Sequence, residues 1–273
     1  MTLFEALTAA RQKIDRLDAR LLLQYATGCS HTDLLARPET PVSAPACVQF
    51  SEWVERRAAG EPLAYIVGEA EFRGRVFQVS PAVLIPRPET EVLIDLALEK
   101  LRGLAAPKVL DLGTGSGIVA ISLALECPQA ASVAVDVAKE AISVARNNAG
   151  RLGAKIDFRA GDWFAPLGGE RFDLIVSNPP YVAENDPHLA LDGLPFEPRM
   201  ALTDGAAGGD GLACIRHIVA EAVAHLLPGG WLLFEHGYDQ GAASRNLLTR
   251  AGFKAALTHP DLAGIDRVSG GHL

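Results

Sequence analysis

Four short stretches hold residue types and spacings that could do chemistry. Asp111-Leu112-Gly113-Thr114-Gly115-Ser116-Gly117 sets a carboxylate ahead of three glycines. Asp136 ends an apolar run 23 positions after Gly113, and Asp162-Trp163 follows the next such run. Asn178-Pro179-Pro180-Tyr181 follows the run after that. Glycines allow a tight turn and close approach of a ligand to backbone at a helix N-terminus. A plain strand-to-helix turn would use them too, but the spacing narrows the choice. A dinucleotide fingerprint reads G-x-G-x-x-G, whereas these glycines fall at 113, 115 and 117. Asp111 would sit poorly beside a pyrophosphate and well beside an ammonium group. A carboxylate at the Asp136 position can accept both hydroxyls of a ribose. Asp162 can accept from an exocyclic amine, although such a residue also serves as a helix or turn cap. Trp163 offers an aromatic face or edge to a purine.

Ammonium, ribose and adenine without a phosphate describe S-adenosylmethionine. The fourth stretch then reads as the acceptor site. Proline has no N–H, so two in succession leave carbonyls without neighbouring donors to compete for them. With the side-chain oxygen of Asn178 they form an acceptor cluster suited to a planar –NH₂ group, on whose plane Tyr181 can stack. Asn-Pro and Pro-Pro also mark rigid turns, but this pair ends a strand at the edge where such folds bind ligands. A conjugated amine is a weak nucleophile. Acceptors drawing on its hydrogens favour a pyramidal nitrogen, and positioning for in-line transfer supplies much of the rest. No strong general base is needed, and neither a Ser/His/Asp nor a Cys/His constellation occurs at a recognisable spacing. No H-E-x-x-H pair is present and no metal is expected. His236, in FEHG, reads as structural.

These residues need a scaffold. From Thr90 onward VLDLG, SVAVD, IDFRAGD, FDLIVSN and WLLFEHG alternate with amphipathic helical segments. That alternation predicts an α/β fold with a doubly wound parallel sheet and helices on both faces. Upstream, Phe4, Leu7, Ala10, Ile14, Leu17 and Leu21 place one apolar stripe on a helix stopped by Gly28. Residues 1–62 read as a small helical bundle for substrate recognition. Residues 63–86 read as an extended β-hairpin linker, and 87–273 as the catalytic domain.

Further motifs refine the reading. Leu84-Ile85-Pro86-Arg87-Pro88-Glu89-Thr90-Glu91, Gly68 and Phe72 in GEAEF, Phe196-Glu197-Pro198-Arg199-Met200-Ala201-Leu202, Gly208-Gly209-Asp210-Gly211-Leu212 and Asp266-Arg267-Val268 occur in that order. Together with Asn178–Tyr181 and the helical N-terminus, they resemble the peptide chain release factor glutamine methyltransferases, a group of class I S-adenosylmethionine-dependent methyltransferases. The resemblance spans essentially the whole chain. It implies a seven-stranded, mostly parallel sheet and methylation of the glutamine in the Gly-Gly-Gln motif of bacterial class 1 release factors. It also implies that Gly113, Thr114, Gly115, Ser116, Gly117, Asp136 and Trp163 hold the cofactor, to which the strand-end residues Asp111, Asp162 and Asn178 are added as expected cofactor contacts. Asn178, Pro179, Pro180 and Tyr181 would grip the glutamine amide. Arg87 and Glu89 read either as an ion pair and helix-terminal charge or as residues shaping the site entrance. Two alternatives share Asn-Pro-Pro-Tyr. One is methylation of an exocyclic amine in nucleic acid. The other is methylation of a ribosomal-protein glutamine, whose enzymes typically lack the PRPETE form.

Composition bears on the partners. The chain has 273 residues with 25 Lys+Arg against 33 Asp+Glu, a net charge of −8, and only 21% charged residues. A nucleic-acid coat would carry a basic excess, so nucleic acid is disfavoured as a partner. Cys29, Cys47, Cys127 and Cys214 form no C-x-x-C pair and read as incidental thiols. No secretory h-region and no run of about 20 apolar residues occurs, so a cytoplasmic monomer without membrane contact is expected.

Overall fold

Asp15 divides what the apolar spacing presents as one helix. In the computed structural model, which describes all 273 residues, its carboxylate accepts from the Leu17 N–H at 2.7 Å and starts a second helix. The result is α1 (Leu3–Ala10), opened by a reciprocal Thr2–Glu5 capping box, and α2 (Arg16–Thr27), closed by Gly28 at φ 72°. The break turns the expected stripe. Leu3, Ala6, Ala10, Ala19, Leu22 and Leu23 are buried, whereas Phe4 and Leu17 face solvent. α3 (His31–Ala36), α4 (Ala44–Ala58) and α5 (Leu63–Val67) add Leu34, Phe50, Val54 and Ile66 to this core. Met1–Glu69 with Ala190–Phe196 form one compact unit, and Ala70–Leu189 with Glu197–Leu273 form the other.

The stretch 63–86 corrects the reading as an extended linker. Pro62 at the N-cap and Gly68 at φ 79° frame the single turn of α5, whose Ala64 carbonyl accepts from the Gly68 N–H. Local caps therefore override the β-branched content of Tyr65-Ile66-Val67. β1 (Glu69–Phe72) and β2 (Arg75–Gln78) make the hairpin, but residues 81–89 contain no strand. Pro81, Pro86 and Pro88 lack the N–H groups a ladder requires.

The larger unit continues through α6 (Thr90–Leu101), β3 (Lys108–Leu112), α7 (Ile118–Glu126), β4 (Ala131–Asp136), α8 (Lys139–Leu152), β5 (Ile156–Ala160) and β6 (Phe172–Ser177). It ends with α9 (Arg199–Leu202), α10 (Ala213–His225), β7 (Leu226–Glu235), α11 (Gly241–Arg250), β8 (Lys254–Pro260) and β9 (Asp266–His272). The seven strands lie in the order β5-β4-β3-β6-β7-β9-β8, all parallel except β9, which runs antiparallel to both neighbours. This is the expected doubly wound, mostly parallel sheet. Its faces alternate along each strand. Val109 packs with Leu93, Ile94 and Ile121 of α6 and α7, while Leu110 and Leu112 pack with Ile215 and Ile218 of α10.

The order places a topological switch beside β3. The chain moves outward through β4 and β5, then returns to pair β6 on the other side of β3. Loops leaving β3 and β6 thus diverge at the carboxyl edge, where open α/β sheets bind ligands. The hairpin is tied to this edge through Asn148 of α8, which is 1% exposed. Its Oδ1 accepts from the Gln78 N–H at 2.7 Å, and its Nδ2 donates to the carbonyls of Gln78 and Ser116, both at 2.9 Å. Asn148→Ala leaves these buried groups unpaired and lowers stability by about 2–3 kcal/mol in urea unfolding. A loss under about 0.5 kcal/mol would show that the tie is dispensable.

Candidate active site

The loop after β3 is shaped by its own hydrogen bonds. Gly113, Gly115 and Gly117 take φ of 71°, 56° and 86°, the left-handed region that disfavours side chains. The N–H groups of Gly113 and Thr114 donate to the Val135 carbonyl at 2.9 and 3.0 Å, and that of Gly115 donates to Asp136 Oδ2 at 2.8 Å. The Gly117 N–H donates to the Thr114 carbonyl at 2.8 Å. A Cβ on Gly117 would lie 2.8 Å from Ile121 Cδ1 and 3.2 Å from Ala145 Cβ, so this glycine lets α7 approach α8.

Asp136 also accepts from the Ala138 N–H at 2.9 Å through Oδ1. Both its oxygens hold backbone, yet burial raises the carboxyl above the usual carboxylate range. Asp111 is deeper, 1% exposed, and its Oδ2 accepts from Thr114 Oγ1 at 2.7 Å and the Ala120 N–H at 3.2 Å. Burial pushes its carboxyl up to about 7 against those hydrogen bonds, and nearby Asp136 adds to the rise.

These groups face a cleft of about 1010 Å³, its open mouth included. Asp111, Gly113, Thr114, Gly115, Ser116, Asp136, Asp162, Trp163, Asn178 and Pro180 are among its walls. Gly117, Pro179 and Tyr181, also expected at the site, are not. Asp162 does not act as a cap through its side chain, because the following turn bonds its carbonyl instead. Trp163 sits at φ 41°, a strained position for a large residue, and its ring lies against Gly113. Val137, which is exposed, and Met200 extend the apolar part of the wall.

The stretch after β6 contributes acceptors. No protein donor reaches the backbone carbonyls of Asn178, Pro179 or Pro180, whereas Gln240 Nε2 donates to that of Tyr181 at 2.9 Å. Gln240 also donates to the Asp210 carbonyl at 3.0 Å, and a Cβ on Gly211 would collide with the Tyr181 carbonyl oxygen. The glycine-rich stretch before α10 therefore packs directly on the acceptor backbone. Tyr181 directs its hydroxyl inward, donating to Glu235 Oε1 at 3.1 Å. Burial and the Glu235 charge raise the phenol above its usual value.

Sequence reasoning missed several supporting residues. Asn178 Nδ2 donates to Thr90 Oγ1 at 3.3 Å, and Thr90 Oγ1 donates to Glu235 Oε2 at 2.7 Å. Thr90 and Glu235 are 0% and 1% exposed. Their positions lie 145 residues apart, and no spacing rule connects them. The only local signal was a carboxylate ending an apolar strand in FEHG. Arg87 pairs with buried Glu197 rather than with Glu89, and Glu197 Oε2 accepts from the Ile85 N–H at 3.0 Å. That clamp fixes the 82–87 wall against the segment carrying Pro198, Met200 and Ala201. Glu89 takes the N-cap position of α6 without a capping bond. His236 is buried, with Nε2 2.9 Å from Ser269 Oγ and Nδ1 2.8 Å from the Gly237 carbonyl, in keeping with a structural role.

A model of the PrmC N-terminal domain matches residues 3–68, and one of the methyltransferase small domain matches residues 90–192. The release factor glutamine methyltransferase of Bordetella pertussis is 49% identical over 274 residues, covering 100% of each chain. That of Burkholderia pseudomallei is 51% identical, covering 95% of this chain and 93% of its own. Among solved structures, the T. thermophilus 16S rRNA N2 G1207 methyltransferase in complex with AdoMet and guanosine superimposes with a TM-score of 0.56 at 23% identity. The match covers 75% of this chain and 49% of that one, and it speaks for the fold alone.

If Asp111 receives the ammonium group of the ligand, as expected from the sequence, its raised carboxyl makes binding pH-linked. An ammonium-bearing ligand favours the ionised carboxylate, so binding near or below a pKa of about 7 must release a proton. Affinity for S-adenosylmethionine is then expected to be full above that pH and to weaken as pH falls through it. Calorimetry in two buffers of different ionisation enthalpy measures the released proton directly. In Asp111→Asn the linkage disappears and affinity drops about 10- to 100-fold. Proton-neutral binding by the unaltered protein across this range would remove Asp111 from the ammonium site.

Proposed function

The chain belongs to the release factor glutamine methyltransferase family, and from that premise we propose that it methylates the side-chain amide nitrogen of the glutamine in the Gly-Gly-Gln motif of class 1 peptide chain release factors, using S-adenosylmethionine. The observation that carries the reading is one cleft walled by both the Asp111–Ser116 loop and Asn178.

The residues present fit the cofactor. Asp111, Asp136 and Asp162 give the cleft carboxylates, while the N–H groups of Gly113, Thr114, Gly115 and Gly117 are all engaged within the protein. That donor set is poor for a phosphate and good for a cationic nucleoside. Asp111 would hold the ammonium, Asp136 the ribose hydroxyls through its remaining lone pairs, and Asp162 with Trp163 the adenine. When bound, S-adenosylmethionine supplies a methyl group activated by its sulfonium centre.

The chain's own residues prepare the acceptor. Asn178 Oδ1 and the unengaged carbonyls beside it accept the two hydrogens of the substrate amide. Holding both favours a pyramidal nitrogen, withdraws its lone pair from conjugation and aims it along one line. The clamped 82–87 and 197–201 segments narrow the mouth and limit water. No base is needed at the nitrogen, because a hydrogen held by an oxygen acceptor is shed to solvent after the nitrogen has become cationic.

The helical unit at residues 1–62 would bind the body of the release factor, since a small-molecule substrate would not call for such an addition. The net charge of −8 argues against nucleic acid as the methyl acceptor. No helix is long and apolar enough to cross a membrane. The test offers methyl-labelled S-adenosylmethionine with release factors, a ribosomal-protein fraction and DNA in parallel. Label is expected in the Gly-Gly-Gln peptide of the release factor. Asn178→Ala reduces that transfer by about 10²–10³-fold, a far larger effect than on cofactor affinity. Label in DNA alone, or undiminished transfer by the variant, overturns the assignment.

A further inference from the structure

We propose that Thr90 and Glu235 are positioning residues that set the direction of the Asn178 amide, so that its oxygen rather than its NH₂ meets the substrate. The proposal rests on Asn178 being the acceptor described above, and it adds what makes that side chain an acceptor. An asparagine amide has nearly the same shape either way round but opposite hydrogen-bonding character. Acceptor chemistry therefore requires something that distinguishes its two ends.

The network supplies that distinction by proton count. An ionised carboxylate can only accept. Glu235 Oε1 accepts the single hydroxyl proton of Tyr181, and Oε2 accepts the single hydroxyl proton of Thr90. With that proton committed, Thr90 Oγ1 has only lone pairs to offer, and what reaches it is Asn178 Nδ2. The NH₂ end of the amide is thereby held on the Thr90 side, and Oδ1 is left for the cleft that Asn178 lines. The reverse orientation would require the Thr90 proton to turn toward the Asn178 oxygen. Glu235, 1% exposed, would then keep one oxygen without a donor, and burying an unpaired charged acceptor is strongly unfavourable.

The elements involved make the arrangement rigid. Thr90 opens α6, Glu235 ends β7, and Asn178 follows β6, the strand paired with β7. Glu235 is fixed in register with Val268 of β9. Burial raises the Glu235 carboxyl above its usual value, the Thr90 and Tyr181 hydroxyls and Arg267 of β9 favour its charged form, and Glu89 opposes it. Tyr181, the fourth member, belongs to the same acceptor stretch as Asn178, so the carboxylate holds that stretch at two points. None of these three supporting side chains is a wall of the cleft. They act through Asn178.

The experiment compares Thr90→Val, Thr90→Ser and Glu235→Gln in the full-length enzyme with a release factor as substrate. Valine matches threonine in shape but removes the hydroxyl. It is expected to lower kcat about 10- to 100-fold, the scale of one misdirected hydrogen bond at the reacting group, with cofactor affinity close to that of the unaltered enzyme and a lower melting temperature, because buried Glu235 Oε2 loses its donor. Serine, which restores the hydroxyl, recovers most of the turnover. Glu235→Gln can place its own NH₂ toward Thr90, freeing the Thr90 proton for the Asn178 oxygen and turning the Asn178 NH₂ toward the cleft. That variant should bind a release factor carrying glutamate in place of the glutamine more tightly than the unaltered enzyme does, because a carboxylate there wants a donor. A merely structural role would not move this preference. Unchanged kcat in Thr90→Val, failure of serine to recover turnover, or no gain in affinity for the glutamate-bearing substrate in a folded Glu235→Gln overturns the proposal. If Thr90→Val fails to fold, the glutamate preference of Glu235→Gln decides alone. Failure of the underlying reading looks different, since the unaltered enzyme would then not methylate the release factor at all.

Discussion

Ser177 Oγ donates to the Leu112 carbonyl at 2.8 Å inside the sheet, and the two residues are register partners on adjacent parallel strands. The next residues on either side are Gly113 and Asn178. Everything the cleft can do depends on this junction, because it fixes the cofactor loop and the acceptor stretch side by side where the chain reverses its winding direction. The register is well specified. On β3 a one-residue slip would exchange the Val109 and Asp111 face with the Leu110 and Leu112 face, placing Asp111 in an apolar layer.

Three carboxyl groups near this edge illustrate how environment divides one chemistry into several. Asp136 has both oxygens on backbone N–H groups, so it holds the glycine loop in shape before any ligand arrives. Asp111 has one oxygen committed to Thr114 and Ala120 and is buried far enough that its carboxyl sits up near 7. Such a group is unfavourable as an anion while no cation is near it. Glu235 is occupied by two hydroxyls and meets no cleft space, so its charge acts only through the protons it orders.

What could be read from the sequence was what lies close in sequence. The strand-and-helix alternation after Thr90, the glycine spacing and the residues at successive strand ends are each local patterns, and the parallel sheet turns those patterns into one edge. The N-terminal stripe failed because periodicity counts apolar residues and ignores a single cap. Asp15 ends the phase, and Phe4 and Leu17 fall outside the core as a result. Residues 63–67 failed for a related reason, with Pro62 and Gly68 outweighing side-chain propensity over one turn. Thr90, Glu197, Glu235 and Gln240 were illegible on different grounds. Each meets a partner 59 to 145 positions away, along a path that only the fold determines.

The acceptor stretch combines two kinds of oxygen, and the difference explains why it needs so much support. Backbone carbonyls next to proline cannot turn into donors, so Pro179 and Pro180 make the polarity of their neighbourhood permanent. They can only be misplaced, and Gly211 and Gln240, packed on the Tyr181 backbone, keep them in place. Asn178 contributes a side-chain oxygen that can reach farther into the cleft, but an amide that reaches can also reverse. A fold that uses this residue as an acceptor must therefore add a directional constraint that the prolines do not require. The Glu235 carboxylate provides it through Thr90, from a position outside the cleft walls. Binding residues and orienting residues separate for this reason. The first must face the cleft, whereas the second work only if water cannot compete for their protons, which confines them to the buried side of the same edge.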